Sequence, residues 1–255
     1  MIADKNYKKE WFEFMGYKPH SGQLKLHYPE KDSAQFFVMV CGRRFGKTTA
    51  SAMEATYIAS QPNKKIWLVG LSYDKADLMF REVWQKMVIG RANDIERASE
   101  KERYIKFKWG TTIEGKSADN PDSLVGEGLD LLIIDEAAKV KKRIWDMYLS
   151  PCLSDRKGKA IFITTPEGYN WIYKIFLLGK TDPLWESHQE PSWNNQYAFP
   201  DGKKDQFLIE RKRNMSKELY EQEYAAKFTS FEGRVYAFDR TLDMGDFPYN
   251  PNFPT

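Results

Sequence analysis

The sequence predicts an α/β fold with a central, mostly parallel sheet and flanking helices. Apolar runs of strand length alternate with helical patterns along most of the 255 residues, which is typical of parallel strands joined by crossover helices. Four runs are almost continuously apolar, as expected of strands that are covered on both faces. The four predicted strands are 36–41, 65–71, 129–135 and 160–165.

The helical patterns lie between and after these strands. Their lengths suit crossover helices that cover both faces of the sheet. The predicted helices are 47–60, 73–89, 143–149 and 169–178.

Two further regions are less regular. Segments 104–109 and 112–115, separated by Gly110 and Thr111, predict a hairpin at an edge of the sheet. Beyond residue 178 the pattern weakens, and we expect a strand at 184–189 and helices near 203–214 and 216–227.

Composition and charge narrow the class of protein. With 42% hydrophobic and 29% charged residues the chain is expected to fold, and a net charge of +3 permits a nucleic-acid partner without requiring one. Cys41 and Cys152 lack the spacing of a metal site or a disulfide framework, which favours reduced cysteines in a cytosolic protein. No apolar run reaches the length of about 20 residues that spans a bilayer, and the N-terminus lacks an apolar signal core. We therefore expect neither a membrane-embedded nor a secreted protein.

A glycine-rich and cationic loop follows the first predicted strand. The stretch Gly42-Arg43-Arg44-Phe45-Gly46-Lys47-Thr48 leads into a helix that starts near Thr49. It matches the phosphate-loop pattern G-x-x-x-x-G-K-[ST] at its last three positions, whereas Cys41 stands in place of the first glycine. Backbone N–H groups in such a loop bind phosphate oxygens, the lysine reaches the β- and γ-phosphates, and the hydroxyl ligates Mg²⁺. The sequence therefore predicts an ATP site whose nucleotide-binding residues are Gly42, Arg43, Arg44, Phe45, Gly46, Lys47, Thr48 and Thr49.

Two carboxylates end the third predicted strand, at Asp135 and Glu136. Beside a phosphate loop, one acid holds the metal and another activates water. We assign Asp135, together with Thr48, to Mg²⁺, and Glu136 to the general base. Taken alone, a strand that ends in exposed acids is common, and only the combination with the loop makes this interpretation specific. With both motifs the fold class becomes a P-loop NTPase of the RecA-like (ASCE) type.

Charged and hydroxyl groups nearby complete the predicted site. Arg43 is expected to contact the γ-phosphate and, with Lys47 and Glu136, to act in catalysis, because a guanidinium matches phosphate oxygens. For Arg44, a role in the site and a solvent-facing position are equally open. Thr164 and Thr165 end the fourth strand, where hydroxyls would lie beside the phosphates.

These segments, together with 117–126 and Pro166-Glu167-Gly168, resemble the ATPase part of large terminase subunits, the genome-packaging motors of tailed bacteriophages. The resemblance covers most of residues 15–240 and implies hydrolysis of ATP coupled to translocation of double-stranded DNA into a procapsid. It also implies a homo-oligomeric ring on the capsid portal, a small terminase subunit as partner, and the host cytoplasm as location. In this family Arg43 looks like the loop arginine of the γ-phosphate, Thr164 and Thr165 look like the coupling motif, and Gln23 looks like the reader of adenine.

Two departures from the family pattern stand out. Several relatives carry an arginine where this chain has Val125, and it acts on the ATP of a neighbouring subunit. The replacements open to this chain are Arg103, Lys116, Lys139 and Arg143. Relatives also carry a nuclease domain, so we expect 1–230 to be the motor domain, with an N-terminal adenine-binding segment and a helical subregion at 200–230, and 231–255 to be a linker toward that nuclease.

Other interpretations stay open at this point. A DNA or RNA helicase uses similar motifs, but it needs two such domains in tandem. A small-molecule kinase would pass the phosphate to an acceptor, which a carboxylate poised as Glu136 disfavours, and a degenerate loop would leave a binding module. The basic stretch Lys139, Lys141, Lys142 and Arg143 would either contact DNA phosphates or form a solvated cationic face.

Overall fold

The structure, a computed structural model, describes residues 5–230. Within these residues eight strands form one sheet in the order β3-β4-β5-β2-β6-β7-β1-β8. The last six strands of this order, β5-β2-β6-β7-β1-β8, pair in parallel. Strand β4 pairs antiparallel with both β3 and β5. This arrangement confirms the predicted α/β class with a mostly parallel sheet. The strands are β1 (Phe36–Cys41), β2 (Lys65–Gly70), β3 (Ile95–Ser99), β4 (Tyr104–Phe107), β5 (Thr112–Ser117), β6 (Leu131–Asp135), β7 (Lys159–Thr164) and β8 (Trp185–Glu190).

Helices cover both faces of the sheet. Two of them continue as π-helical turns, α4 into Gln85–Ile89 and α5 into Trp145–Leu149, so the predicted helices 73–89 and 143–149 are each built in two parts. The helices are α1 (Lys5–Phe14), α2 (Ser21–His27), α3 (Lys47–Ala59), α4 (Tyr73–Trp84), α5 (Lys142–Ile144), α6 (Trp171–Thr181), α7 (Gln206–Asn214) and α8 (Lys217–Glu223). Of the helices between residues 5 and 230, none is long and apolar enough to cross a membrane.

Local sequence accounts for several helix starts. Asn170, Asp205 and Ser216 precede α6, α7 and α8, and each side chain accepts a hydrogen bond from a backbone N–H of the first turn. Such caps satisfy N–H groups that a helix leaves without a partner. These residues therefore determine where the three helices begin.

The structure differs from the sequence prediction at four places. Helices α1 and α2 and strand β3 were not predicted, and the predicted hairpin has a four-residue loop, 108–111, instead of a two-residue turn. In this loop Gly110 has a φ of +82°, and its N–H donates to Phe107 O at 2.9 Å. The left-handed conformation at Gly110 closes the longer loop.

The strand order determines which loops meet. Strand β7 lies between β6 and β1, with Asp135 opposite Ile163 and Val40 opposite Thr164. The carboxyl ends of these three parallel strands therefore meet at the same edge of the sheet. This edge carries the phosphate loop, the two acids and the threonine pair. The sequence predicted that each lies at a strand end, but not the order of these strands in the sheet.

Alternate residues of the central strands face opposite helical layers. In β1, Phe37 and Met39 pack with α1 to α4, whereas Val38 and Val40 pack against the layer that contains Trp145. Burial on both faces explains the nearly continuous apolar runs.

A smaller apolar cluster joins the two C-terminal helices. It contains Phe199, Leu208, Tyr220 and Tyr224, of which all but Phe199 lie in the predicted helical subregion 200–230. The expected linker at 231–255 lies outside the described residues.

Candidate active site

The phosphate loop ends in a left-handed glycine that starts helix α3. Gly46 has a φ of +89°, and α3 begins at the next residue, Lys47. Only glycine adopts this conformation without cost. Within the described part of the chain, the N–H groups of Gly46, Lys47 and Thr48 have no hydrogen-bond acceptor. Unpaired N–H groups at a helix start bind anions, and phosphate above all.

Side chains from α2 and from the residue before it bind backbone carbonyls of the loop. Gln23 Nε2 donates to Gly46 O at 2.9 Å, and His20 Nε2 lies 2.9 Å from Phe45 O, which as a carbonyl can only accept. The Gln23 side chain is buried, and its Oε1 accepts from His20 N at 3.1 Å. Its amide therefore supports the loop, and recognition of adenine by Gln23 stays a prediction.

The other loop residues divide between the core and the surface. The Phe45 ring is buried and meets the His20 ring edge to face at 4.8 Å, so Phe45 would contact a nucleotide through its backbone alone. Thr49 donates its hydroxyl to Glu82 Oε1 at 3.1 Å, which leaves its N–H for phosphate. Arg44 is exposed and has a φ of +60°.

Gly42 accommodates a close contact between the loop and the C-terminal region. A Cβ atom at Gly42 would lie 2.4 Å from Ser192 Oγ and 2.6 Å from Tyr224 O. The glycine that this junction requires therefore stands one position after Cys41, the buried last residue of β1. This packing is compatible with cysteine in place of the first glycine of the pattern.

Thr48 and Asp135 meet, as the metal assignment requires. Thr48 Oγ1 donates to Asp135 Oδ2 at 3.1 Å, and Asp135 Oδ1 accepts from Glu136 N at 2.8 Å. Burial raises the pKa of Asp135, and the Lys47 ammonium opposes this shift. A hydroxyl and a carboxylate are hard oxygen donors that suit Mg²⁺, which takes few protein ligands and completes its shell with water and phosphate. Within 5–230 no cluster of three or more His, Cys, Asp or Glu residues that could hold a metal occurs.

Glu136 stands in a strained position between two lysines. Its φ of +50° lies in the left-handed region, which is rare for residues other than glycine and recurs at functional sites. Lys47 Nζ lies 3.4 Å from Glu136 Oε1, and Lys139 Nζ lies 3.9 Å from Oε2. The side chain keeps 30% of its surface exposed, so a water molecule can reach the carboxylate.

The two threonines at the end of β7 have different surroundings. Thr164 is buried, and its hydroxyl accepts from Ala138 N at 3.2 Å and donates to Thr165 O at 2.8 Å. Thr165 Oγ1 accepts from Lys47 Nζ at 3.5 Å. Thr165 therefore faces the loop lysine, whereas Thr164 links the segment after Glu136 to the end of β7, and its direct contact with nucleotide stays a prediction.

A cavity of about 130 Å³ lies where these groups converge. Its lining includes Arg43, Glu136, Thr165 and Glu223. The Arg43 guanidinium forms an ion pair with Glu223 of α8, and Arg43 N donates to Glu223 O at 2.7 Å. The predicted γ-phosphate arginine is thus at the cavity, held by the C-terminal helix.

Three of the four cations considered in place of Val125 are near carboxylates. Arg103 pairs with Asp77, Lys116 pairs with Glu114, and Lys139 lies beside Glu136. Arg143 instead donates its Nε to Met147 Sδ at 3.0 Å, and among the described residues it has no carboxylate partner.

Sequence reasoning missed the residues that hold the loop in place. They occur singly before α2, on α4, on α8 and in the segment after β8, where no motif marks them, and only chain folding brings them to the loop. They are His20, Glu82, Asn195 and Glu223.

Comparison with known proteins agrees with this geometry. The sequence profile of the family described as "Terminase large subunit, T4likevirus-type, N-terminal" matches residues 38–242. The large terminase subunit of Thermus virus P23-45 is 30% identical over an alignment of 268 positions. The alignment covers 92% of this chain and 53% of the relative. The chain thus spans about half the length of the curated relatives it matches.

Solved structures match the fold. The large terminase ATPase domain of Thermus phage P74-26 superposes with a TM-score of 0.74 at 30% identity, covering 86% of this chain and 98% of that domain. A large terminase from a thermophilic bacteriophage, solved in complex with ADP, gives a TM-score of 0.68 at 16% identity over 87% of this chain and 56% of its own. The chain therefore belongs to the terminase large-subunit family and carries the N-terminal, P-loop part of such a protein.

Proposed function

We propose that this chain binds ATP with Mg²⁺ and hydrolyses it as the motor domain of a viral DNA-packaging terminase. One observation carries the proposal: the unpaired N–H groups of the loop, the Thr48–Asp135 pair and Glu136 converge at the edge where β1, β7 and β6 end. Phosphate binding, metal binding and activation of water each require one of these three groups.

The side chains suggest an order of events. The β- and γ-phosphates of ATP bind the N–H groups of 46–48, and Lys47 turns from Glu136 toward them. Because Lys47 Nζ lies 3.4 Å from the Glu136 carboxylate, this movement frees the carboxylate to accept a proton. Mg²⁺, held by Thr48 and Asp135, would neutralise charge on the phosphate oxygens.

Hydrolysis then needs a water molecule in line with the bond that breaks. Glu136 accepts a proton from the water, the water oxygen bonds to the γ-phosphorus, and the bond from that phosphorus to the bridging oxygen breaks. The products are ADP and inorganic phosphate. Arg43, once released from Glu223, would stabilise charge on the γ-phosphoryl group.

The relatives support ATP as substrate. The Thermus phage P74-26 domain is described as an ATPase domain, and the terminase of the thermophilic bacteriophage, which has the same fold, was solved with ADP. A tandem helicase is not favoured, because the matched family is a terminase and its profile covers 38–242 as one N-terminal unit.

Partners and location follow from the family rather than from the site. We propose coupling of hydrolysis to translocation of double-stranded DNA into a procapsid, a homo-oligomeric ring on the portal, and a small terminase subunit as partner. The host cytoplasm is the proposed location, and the free, buried Cys41 and Cys152 support a reducing compartment.

The test is nucleotide binding by calorimetry combined with release of inorganic phosphate. The wild-type chain is expected to bind ATP with Mg²⁺ and to release only inorganic phosphate. Lys47→Ala is expected to weaken ATP binding strongly, whereas Lys180→Ala, which alters a lysine on α6, leaves it unchanged. Transfer of phosphate to a small acceptor, or absence of nucleotide binding by the wild type, would contradict the proposal.

A further inference from the structure

The phosphate loop is also held from the C-terminal side. The side chains of His20 and Gln23 contact the carbonyl oxygens of Phe45 and Gly46. The preceding carbonyl, Arg44 O, accepts a hydrogen bond of 2.7 Å from Asn195 Nδ2. Three consecutive carbonyls are thus held by side chains from outside the loop.

The bond to Arg44 stabilises an unfavourable part of the loop. Arg44 has a φ of +60°, a conformation that costs free energy for residues other than glycine and asparagine. In a planar trans peptide the C=O and the following N–H point in opposite directions. Holding Arg44 O on the protein side therefore orients the peptide unit that leads into the phosphate-binding N–H groups.

The same side chain also organises the segment that follows β8. Asn195 Oδ1 accepts from Tyr197 N at 3.0 Å and from Ala198 N at 3.3 Å. The residue is 9% exposed, and its own N–H donates to Ser192 O at 3.0 Å. The side-chain amide of Asn195 thus contacts two segments. Its Nδ2 donates to the loop, and its Oδ1 accepts from the segment that leads into the C-terminal helical region.

We infer that Asn195 is a positioning residue for nucleotide binding, which holds the Arg44 peptide in its left-handed conformation and couples the loop to 197–198. The inference rests on the proposed ATP site and deepens it. Asn195 acts through the loop backbone, so its loss affects affinity for nucleotide before it affects the chemical step.

Two variants separate the donor from the acceptor. Asn195→Asp keeps the shape and the acceptor oxygen but loses the donor to Arg44 O. Asn195→Ser keeps a shorter acceptor, as in turns closed by serine, and cannot reach Arg44 O. Because Asn195→Ser adds no charge, it also shows whether the added charge alone explains the effect of Asn195→Asp.

The experiment measures ATP affinity by calorimetry, KM and kcat by phosphate release, and thermal unfolding, all on the 255-residue chain. Both variants are expected to bind ATP roughly tenfold more weakly, with KM raised in proportion and kcat changed less, as loss of one buried hydrogen bond predicts. Unfolding temperatures are expected to fall by only a few degrees, because one buried hydrogen bond contributes about 1 kcal/mol to stability. Asn194→Ala is the matched control, because the Asn194 side chain donates a hydrogen bond to Glu190 Oε2 at 2.7 Å and does not contact the loop carbonyls.

Hydrogen exchange tests the coupling. In the wild type, ATP is expected to slow exchange at the N–H groups of Tyr197 and Ala198, and both variants are expected to lose this response. Wild-type affinity in both variants would overturn the inference while leaving the proposed function intact. If the wild type itself binds no ATP, the proposed function fails, and the inference fails with it. If one variant does not fold, the other decides the outcome.

Discussion

The guanidinium of Arg43 and the carboxylate of Glu223 form an ion pair between the phosphate loop and α8. The Arg43 side chain is 61% exposed, whereas Glu223 is mostly covered. The pair places the arginine beside the cavity that Glu136 also lines, and in the proposed mechanism Glu223 would compete with the γ-phosphate for it. This ion pair therefore adds a side-chain link between the proposed nucleotide site and α8 to the backbone hydrogen bond from Arg43 N to Glu223 O.

Removing the competing carboxylate should favour ATP. We expect Glu223→Gln to bind ATP a few-fold more tightly, because an exposed pair contributes about 0.2–1 kcal/mol. ADP, which lacks the γ-phosphate, should bind as in the wild type. Calorimetry with both nucleotides measures this difference. The control is Glu221→Gln, which alters another carboxylate of α8 and removes the ion pair with Lys227. A loss of ATP affinity in Glu223→Gln would contradict the interpretation.

Replacing the general base should separate binding from turnover. We expect Glu136→Gln to bind ATP with near wild-type affinity and to lose about 10²–10⁴-fold in kcat, as is typical when a general base is removed. Single-turnover phosphate release gives the rate. Glu210→Gln, which alters an exposed carboxylate on α7, should match the wild type. Normal turnover in Glu136→Gln would exclude Glu136 as the base.

A buried histidine should make stability depend on pH. Burial lowers the pKa of His27, whose Nδ1 lies 2.8 Å from Glu54 Oε2 and whose Nε2 lies 3.0 Å from the Tyr17 hydroxyl. Burial raises the pKa of Glu54, but Lys8 and His27 more than offset this and lower it to about 2. Glu54 is thus ionised at mildly acidic pH, whereas the lowered pKa of His27 disfavours its protonation in the folded protein.

The sign follows from proton uptake. Below the ordinary histidine pKa of about 6.5 the unfolded chain binds a proton that the folded His27 refuses, so the free energy of unfolding falls as pH falls. The slope is at most about 1.4 kcal/mol per pH unit for one group. Denaturant unfolding at pH 5 to 8 measures it. His27→Gln should flatten the curve, and equal slopes in the wild type and His27→Gln would contradict the assignment.

A methyl group at Gly42 should disrupt the contact between the loop and the C-terminal region. The added Cβ would overlap Ser192 Oγ and Tyr224 O, so we expect Gly42→Ala to lower the free energy of unfolding by about 1–3 kcal/mol. At Gly128 the nearest atom to an added Cβ is 3.4 Å away, which makes Gly128→Ala a matched control near wild-type stability. Equal stability of the two variants in denaturant unfolding would contradict the close packing at Gly42.

Much of the fold was predictable because its signals are local. The apolar run before the loop, the glycine at 46 and the two acids at the end of β6 each appear within a few neighbouring residues. The helices α1 and α2 and strand β3 were missed, because their polar composition resembles that of loops and tertiary packing stabilises them. Glu136 was recognised by its position after a strand, but its left-handed backbone was not.

The sequence by itself determined the α/β class, the loop that ends in Gly46-Lys47-Thr48, and the acids at 135 and 136, since these depend on spacing along the chain. Only the tertiary structure decided that β7 lies between β6 and β1, that Arg43 is paired with Glu223, and that Gln23, His20 and Asn195 hold the loop carbonyls. These contacts join residues far apart in sequence. Their partners are set by the order of strands in the sheet and by the packing of α2 and α8 against the loop, which no local pattern encodes.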